Sequence, residues 1–239
     1  MLYQQDEQGF PFDVPDVKIK CMFKDSRDNL WIGTYDQGYH VVYAYEERFN
    51  RNNWLKSSLA NKSVVAVEDD SKGNLWISTL KDGLYLYNMN SELFKRIDLT
   101  RAFNNTAAQD IDISHIFVDR DDRVWLSSNM GLVRCKVVND DLRLDNYWPI
   151  FMSMALSQDA AGRVWAGSFG EYVTYISPVD DSMHSVKTVS APFTFTPYCL
   201  PLKDGNVLSA SFEQGFSLID GSQNHHRCHP RSDRWLGQL

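Results

Sequence analysis

An all-β propeller of about five four-stranded blades is the fold this sequence predicts. Three observations predict it: one phrase recurs along the chain, the recurrence has the length of a blade, and each unit reads as short strands with no helical period. DSRDNLWIGT at 25–34 returns as DSKGNLWIST at 70–79, and in looser form twice more. With its tryptophan as anchor, Trp31, Trp76, Trp125 and Trp165 follow one another at spacings of 45, 49 and 40, and Leu208 takes the anchor place 43 residues later. A period of roughly 40–50 residues is the length of propeller blades.

Each unit opens on a strand: VKIKCMF (17–23), SVVAVED (63–69), DISHIFV (112–118), FMSMALS (151–157) and TFTPYCL (194–200). Alternation and β-branched or aromatic content mark these as buried or half-buried strands. A tight turn follows. Its fourth residue is Asp28, Gly73, Asp122, Gly162 or Gly205, all types that tolerate a left-handed backbone. The leading Asp25, Asp70, Asp119 and Asp159 are placed to accept hydrogen bonds from the turn's own amides. The second strand, LWIGT in the first copy, carries the tryptophan. It also carries a small residue two places on (Gly33, Ser78, Ser127, Gly167, Ala210) and then a hydroxyl (Thr34, Thr79, Ser128, Ser168, Ser211). A fixed small residue suits a place where a neighbouring sheet approaches closely beside a large tryptophan. Five equivalent hydroxyls with no matching histidine or acid series are structural, since a nucleophile needs a base beside it. A glycine turn leads to a third strand, as in LKDGLYLYN. Weaker fourth strands are expected around Arg48–Asn50, Leu93–Ile97, Leu142–Tyr147 and Met183–Lys187. Antiparallel units of four strands describe propeller blades.

The expected organisation is therefore residues 1–16 as outer strands of an incomplete first blade and 17–220 as the repeats. These divide at about 17–60, 61–108, 109–148, 149–190 and 191–220, and 221–239 is an irregular C-terminal tail. A chain that opens in mid-blade either closes its ring by lending that outer strand to the last blade or forms part of a larger, open ring. An open ring favours self-association through its uncovered end faces.

With 43% hydrophobic residues among 239, the chain can bury a sizeable core. The net charge of −7 and the lack of a basic block disfavour nucleic acid and anionic membrane as partners. No apolar run approaches ~18 residues, and MLYQQDEQGF lacks the features of a signal peptide. Cys21, Cys135, Cys199 and Cys228 lie far apart without C-x-x-C spacing, and Cys21 continues an apolar alternation. A small buried hydrophobe is the reading that fits, rather than a disulfide framework.

The phrases at 17–43 and 58–88 resemble the two-component regulator propeller repeat, which runs D-x-x-G-N-L-W-I-G-T and then x-x-G-L-x-x-Y. The resemblance is close in copies one and two, fair in three and four, and weak in five, which lacks both the aspartate and the tryptophan. That repeat is characteristic of the extracytoplasmic sensor regions of hybrid histidine kinases in gut Bacteroidetes. The resemblance implies a periplasmic ligand-sensing segment of a longer receptor, or of a truncated one, without catalytic activity of its own. It also implies a glycan or glycan fragment as ligand. Neither the kinase boxes nor a phospho-accepting histidine occurs in the chain, so no phosphotransfer is expected. A propeller enzyme, such as a lyase or glycoside hydrolase, and a protein-interaction scaffold are the rival readings.

Binding loops of a propeller converge on one end of the ring. The connections between second and third strands share an end with those between blades. There fall Tyr35, Asp36 and Gln37; Leu80, Lys81 and Asp82; Asn129 and Met130; Phe169 and Glu171; and Phe212, Glu213 and Gln214. Trp54 and Trp148 lie outside the repeated anchor, in or near inter-blade connections. They serve either as sugar platforms or as caps on the ring edge. A flat apolar ring beside amides and carboxylates is what a sugar needs. His225, His226, Cys228 and His229 crowd the tail at spacings that could hold zinc or copper, but no second ligand pair accompanies them, so no metal or other cofactor is assigned.

Overall fold

The computed structural model describes residues 18–42, 59–103, 111–150, 153, 155–167, 172–187, 198–211, 215–220 and 226–229. It is a five-bladed, all-β propeller. Blade 1 contains β1 (Ile19–Lys24), β2 (Leu30–Thr34) and β3 (Tyr39–Val42). Blade 2 contains β4 (Val64–Asp69), β5 (Asn74–Thr79), β6 (Gly83–Asn88) and β7 (Phe94–Arg96). Blade 3 contains β8 (Ile113–Val118), β9 (Val124–Ser128), β10 (Gly131–Val138) and β11 (Asp141–Trp148). Blade 4 contains β12 (Leu156–Gln158), β13 (Val164–Gly167), β14 (Tyr172–Ile176) and β15 (Met183–Lys187). Blade 5 contains β16 (Tyr198–Pro201), β17 (Val207–Ser211), β18 (Gly215–Ile219) and β19 (His226–His229). Every sheet is an antiparallel meander in chain order. One short helix, α1 (Leu99–Ala102), joins blades 2 and 3, and Asp98 caps it by accepting the Thr100 amide at 3.0 Å.

The weak fourth strands expected in blades 2, 3 and 4 are present. The one expected around Arg48–Asn50 lies outside the described residues, as do residues 1–16. One expectation is corrected: the tail from 221 is not wholly irregular. His226–His229 pairs with β18, Ile219 opposite His226 and Phe216 opposite His229. Backbone pairing with a buried neighbour imposes a strand where side-chain alternation gives no sign of one.

The repeated phrase builds the seams between blades. Trp31, Trp76, Trp125 and Trp165 are all at most 3% exposed. Each joins a cluster that spans one seam: Trp31 packs with Leu75 and Ile77, Trp76 with Ile113 and Ile116, Trp125 with Leu156 and Ala166, and Trp165 with Cys199 and Val207. At Gly33 an added Cβ would meet Cys21 Sγ at 2.6 Å and Val64 Cγ1 at 3.0 Å. Blade 2 therefore approaches the small position after the anchor, as its size requires. The left-handed turn position is also observed, with φ of 67° at Asp28, 80° at Gly73, 56° at Asp122, 84° at Gly162 and 87° at Gly205.

The leading aspartate does more than hold its turn. Asp25 Oδ1 accepts the amides of Arg27 and Asn29, both at 2.9 Å, while Oδ2 accepts Asn29 Nδ2 at 3.0 Å and the Trp31 indole N–H at 2.8 Å. Asp70 repeats the set with Lys72, Asn74 and Trp76. Asp119 and Asp159 take an arginine, Arg123 or Arg163, in the asparagine's place and still receive the indole N–H of Trp125 or Trp165 at 2.8 and 2.9 Å. Donors on both oxygens offset the cost of taking the carboxylate out of water. Aspartate and tryptophan are thus one unit, and blade 5, with Leu202 and Leu208 in their places, has lost both together.

The turns also stitch neighbouring blades along the lower end. The Ser26 amide donates to Asp69 at 2.9 Å and the Arg120 amide to Gln158 at 3.1 Å, each acceptor sitting at the last residues of the next blade's inner strand. Blade 3 has the apolar Val118 at that place, and there Ser71 donates to Asp122 of the turn instead, at 3.1 Å from its amide. At the two ends of the blade series apolar side chains stay exposed: Met22 at 64% on blade 1, and Tyr198 at 53% and Leu200 at 58% on blade 5.

Candidate functional site

The hydroxyls that follow the small residue tie the hairpin between second and third strands. Thr34 donates to Gly38 O at 2.9 Å, Thr79 to Gly83 O at 3.0 Å and Ser128 to Gly131 O at 2.8 Å. They are structural, as their repetition predicts. The loops they anchor meet the entrances of the inner strands. The Tyr35 amide donates to Lys18 O, that of Leu80 to Ser63 O and that of Asn129 to Asp112 O, at 2.8–3.1 Å. Second-to-third loops and inter-blade connections therefore share one end of the ring, here the upper end.

Tyr35, Asp36 and Gln37 are exposed there, with Leu80 and Lys81 of blade 2 and Asn129 and Met130 of blade 3 in equivalent places. The Tyr35 ring carries the Lys20 ammonium 5.1 Å from its centroid. Asp82 is committed elsewhere: its carboxylate pairs with Lys62, accepts the Tyr85 hydroxyl at 2.7 Å, and has Arg96 Nη2 at 3.9 Å. Partial burial pushes its pKa up, but these donors outweigh it and hold the carboxyl below the ordinary carboxylate range, so it stays ionised. Asn129 accepts the Asp112 amide at 3.0 Å and so braces its loop. Trp54, Phe169, Glu171, Phe212, Glu213 and Gln214 lie outside the described residues.

Trp148 is not a platform. It is 5% exposed, stacked on Trp125 at 5.1 Å, and its indole N–H donates to Asp181 O at 2.9 Å. Arg134 lies 5.5 Å from both rings and binds Asp181 through two nitrogens at 2.6 and 2.8 Å and Asp145 at 2.5 Å. This cluster fastens blade 3 to the β14–β15 turn of blade 4, and Trp148 is buried because β11 lies against that turn. Arg134→Ala is expected to cost about 3 kcal/mol in urea unfolding, since it strands two carboxylates in a half-buried seam. Arg134→Lys should recover only part of that, lacking the two-pronged geometry.

Among the described residues no group of three His, Cys, Asp or Glu could hold a metal ion. One arrangement imitates a nucleophile relay. Ser182 Oγ lies 2.7 Å from Asp180 and 2.8 Å from His184 Nε2. The carboxylate contacts the hydroxyl rather than the imidazole's far nitrogen, so the histidine is not oriented as a base. Hydrogen bonds from Ser182 hold Asp180 at about 2. Burial lifts the Cys135 and Cys199 thiols to about 12, which suits inert core groups. Lys18, Lys20 and Lys62 are the upper-end residues that the sequence reading passed over. The signal was present in VKIKCMF, where two lysines alternate along an inner strand.

Residues 13–36 and 58–81 match the two component regulator propeller family. No curated protein matches the sequence. Among solved structures, the extracellular domains of two hybrid two component systems from B. thetaiotaomicron align over 95% and 86% of this chain. They do so at 15% and 18% identity, with TM-scores of 0.57 and 0.65. The chain covers 35% and 28% of those domains, about a third of their length. Streptogramin B lyase aligns over 92% of this chain and 70% of its own, at 12% identity and a TM-score of 0.63. At these identities the likeness is one of fold.

Proposed function

We propose, from a propeller whose first two blades carry the two-component regulator repeat, that this chain is part of the ligand-sensing region of an extracytoplasmic receptor. Its ligand is a glycan fragment, and the chain itself is not catalytic. The observation that carries this reading is a division of labour among its polar groups. Turn aspartates and strand hydroxyls are consumed inside the blades, whereas Tyr35, Asp36 and Gln37 stand exposed at the upper end. An exposed ring with acceptors beside it binds the apolar face and the hydroxyls of a sugar. The lyase among the structural neighbours keeps an enzyme as the second reading. An enzyme would need an acid–base pair, and Asp82 is held by Lys62 and Tyr85.

A thermal-shift screen of oligosaccharides tests the proposal. A ligand at 100 times its Kd should add ~2.7 kcal/mol of stability, and Tyr35→Ala should abolish the shift. If no sugar moves the melting point and a protein partner co-purifies, the scaffold reading replaces this one. The exposed Met22, Tyr198 and Leu200 of the end blades make concentration-dependent self-association the expected behaviour of the isolated chain. Light scattering that shows a monomer at every concentration would count against it.

A further inference from the structure

The last blade presents a sheet face of a kind that the other blades bury. Cys199, Val207 and Ile219 pack with Trp165 against blade 4, so strand alternation turns their neighbours the opposite way. The register aligns Tyr198, Ala210 and Phe216 in one row and Leu200, Leu208 and Leu218 in the next. Tyr198, Leu200 and Phe216 are exposed, and the other three are half-buried. In blade 1 the places of Tyr198, Ala210, Leu200 and Leu208 hold Cys21, Gly33, Phe23 and Trp31, and blade 2 packs against them. A contiguous apolar face left open in this way marks an interaction surface. Blade 1 is open on its other side. Met22 pairs with Ile32 as Val67 pairs with Ile77 and Ile116 with Leu126. Val67 and Ile116 are buried by the blade before them, whereas Met22 is 64% and Ile19 45% exposed. The inner strands of the first and last blades therefore do not cover each other within one chain.

We propose that blade 5 of one chain seats on blade 1 of a second copy, head to tail, in the geometry of a blade seam. The proposal is independent of the glycan reading, and it gives the self-association expected above a surface and a direction. The seams inside the chain say which residues meet. A Cβ added at Gly33 would lie 3.0 Å from Val64 Cγ1 of the next blade. Ala210 holds the place of Gly33, and Ile19, opposite Thr34, holds that of Val64, opposite Thr79. Ser157 of blade 4 donates to Cys199 O of blade 5 at 2.8 Å. Leu200 holds the place of Ser157, each opposite its anchor residue, and Met22 holds that of Cys199. Ala210 should therefore meet Ile19 of the second copy, and Leu200 should meet Met22. Both expected partners are exposed in the single chain. Such a contact joins unlike patches, so growth stops only where the rotation closes a ring.

Sedimentation of the full chain over a range of concentrations tests this. Leu200→Glu and Met22→Glu, one on each face, should each raise the concentration needed for assembly at least tenfold, because each would bury an unpaired carboxylate in the seam. Both positions are exposed in the single chain, so the melting points of the dilute variants should match the parent's. Val179→Glu is the control. Val179 is 91% exposed on the β14–β15 turn and belongs to neither face, so assembly should be unchanged. A chain with Ile19→Cys, mixed with one carrying Ala210→Cys and oxidised, should give a disulfide-linked pair that neither chain gives alone. A monomer at every concentration overturns the proposal. So does assembly that ignores Leu200→Glu or responds equally to Val179→Glu, and so does a mixture that yields no linked pair. A double variant, Ile19→Cys with Ala210→Cys, that links within single chains and stays monomeric would show the chain closing its own ring, which also overturns it.

Discussion

Replacing Trp76 by alanine is expected to lower the unfolding free energy by about 3–5 kcal/mol, the cost of removing a large core aromatic. The side chain is fully buried between blades 2 and 3, packed with Ile113, Ile116 and Leu126. Trp76→Phe separates the two contributions. It keeps most of the apolar contact but removes the indole N–H that reaches Asp70 Oδ2 at 3.2 Å, and should cost about 1–3 kcal/mol for the carboxylate oxygen left short of a donor. The more telling variant copies blade 5 into blade 2. Asp70→Leu alone leaves the indole and the turn amides of Lys72 and Asn74 without their acceptor. Trp76→Leu alone leaves the aspartate short. Made together, the changes remove the indole and the carboxylate that each single change stranded, while the turn amides lose their acceptor in either case, so the pair should cost less than the two single changes added, by about 1–2 kcal/mol. Urea unfolding of the four proteins measures that difference. Strict additivity would mean that aspartate and tryptophan recur together for separate reasons.

Glu68→Gln should make the protein more stable at about pH 8 and leave it little changed at about pH 4. Glu68 lies opposite Trp76 on the inner strand of blade 2, at the place where blades 1 and 3 carry Phe23 and Phe117. Burial lifts its carboxyl from the ordinary 4.5 to about 7, and the neighbouring Asp69 pushes the same way, against one hydrogen bond from the Val118 amide. A folded-state value above the unfolded one means that folding favours the protonated acid. The stability this contributes is complete below about 4.5 and is lost as pH rises through 7. A shift of this size corresponds to at most roughly 3.5 kcal/mol, at about 1.4 kcal/mol per unit. His115 works in the opposite sense. Burial pulls its imidazole from 6.5 down to about 4, so its contribution is complete above 6.5 and disappears as pH falls through 4. Subtracting the melting profile of Glu68→Gln from that of the parent between about pH 4 and 9 isolates the acid. A flat difference would show that Glu68 ionises in the folded seam as freely as in water.

How much of the molecule could be read in advance differs from residue to residue for physical reasons. The turns were legible because their chemistry is local. An acceptor at the first place and a left-handed backbone at the fourth involve residues within a few steps of each other, and Asp25, Gly73 and Gly162 announce them. The loop tips were legible because strand direction in a meander decides which connections share an end. Tyr35, Leu80 and Asn129 do occupy equivalent places there. Trp148 was not legible. Its burial depends on Arg134 and on Asp181 of the next blade, contacts 33 and 47 residues apart for which no spacing rule exists. The strand at 226–229 was hidden for the same reason, being imposed by β18.

The sequence by itself determined the blade: its length, its strand order, its turns, and the tryptophan that every seam except the last would bury. Those properties arise within one repeat unit, and five noisy copies of the unit can be averaged against one another. Only the tertiary structure decided what happens between units. It paired each buried aspartate with an indole, replaced the acceptor missing at Val118 by Asp122, locked blade 3 to blade 4 through Arg134, and set Lys20 over Tyr35 at the upper end. Seam contacts join residues tens of positions apart and differ from seam to seam. They follow from how whole sheets pack, and no single repeat contains them.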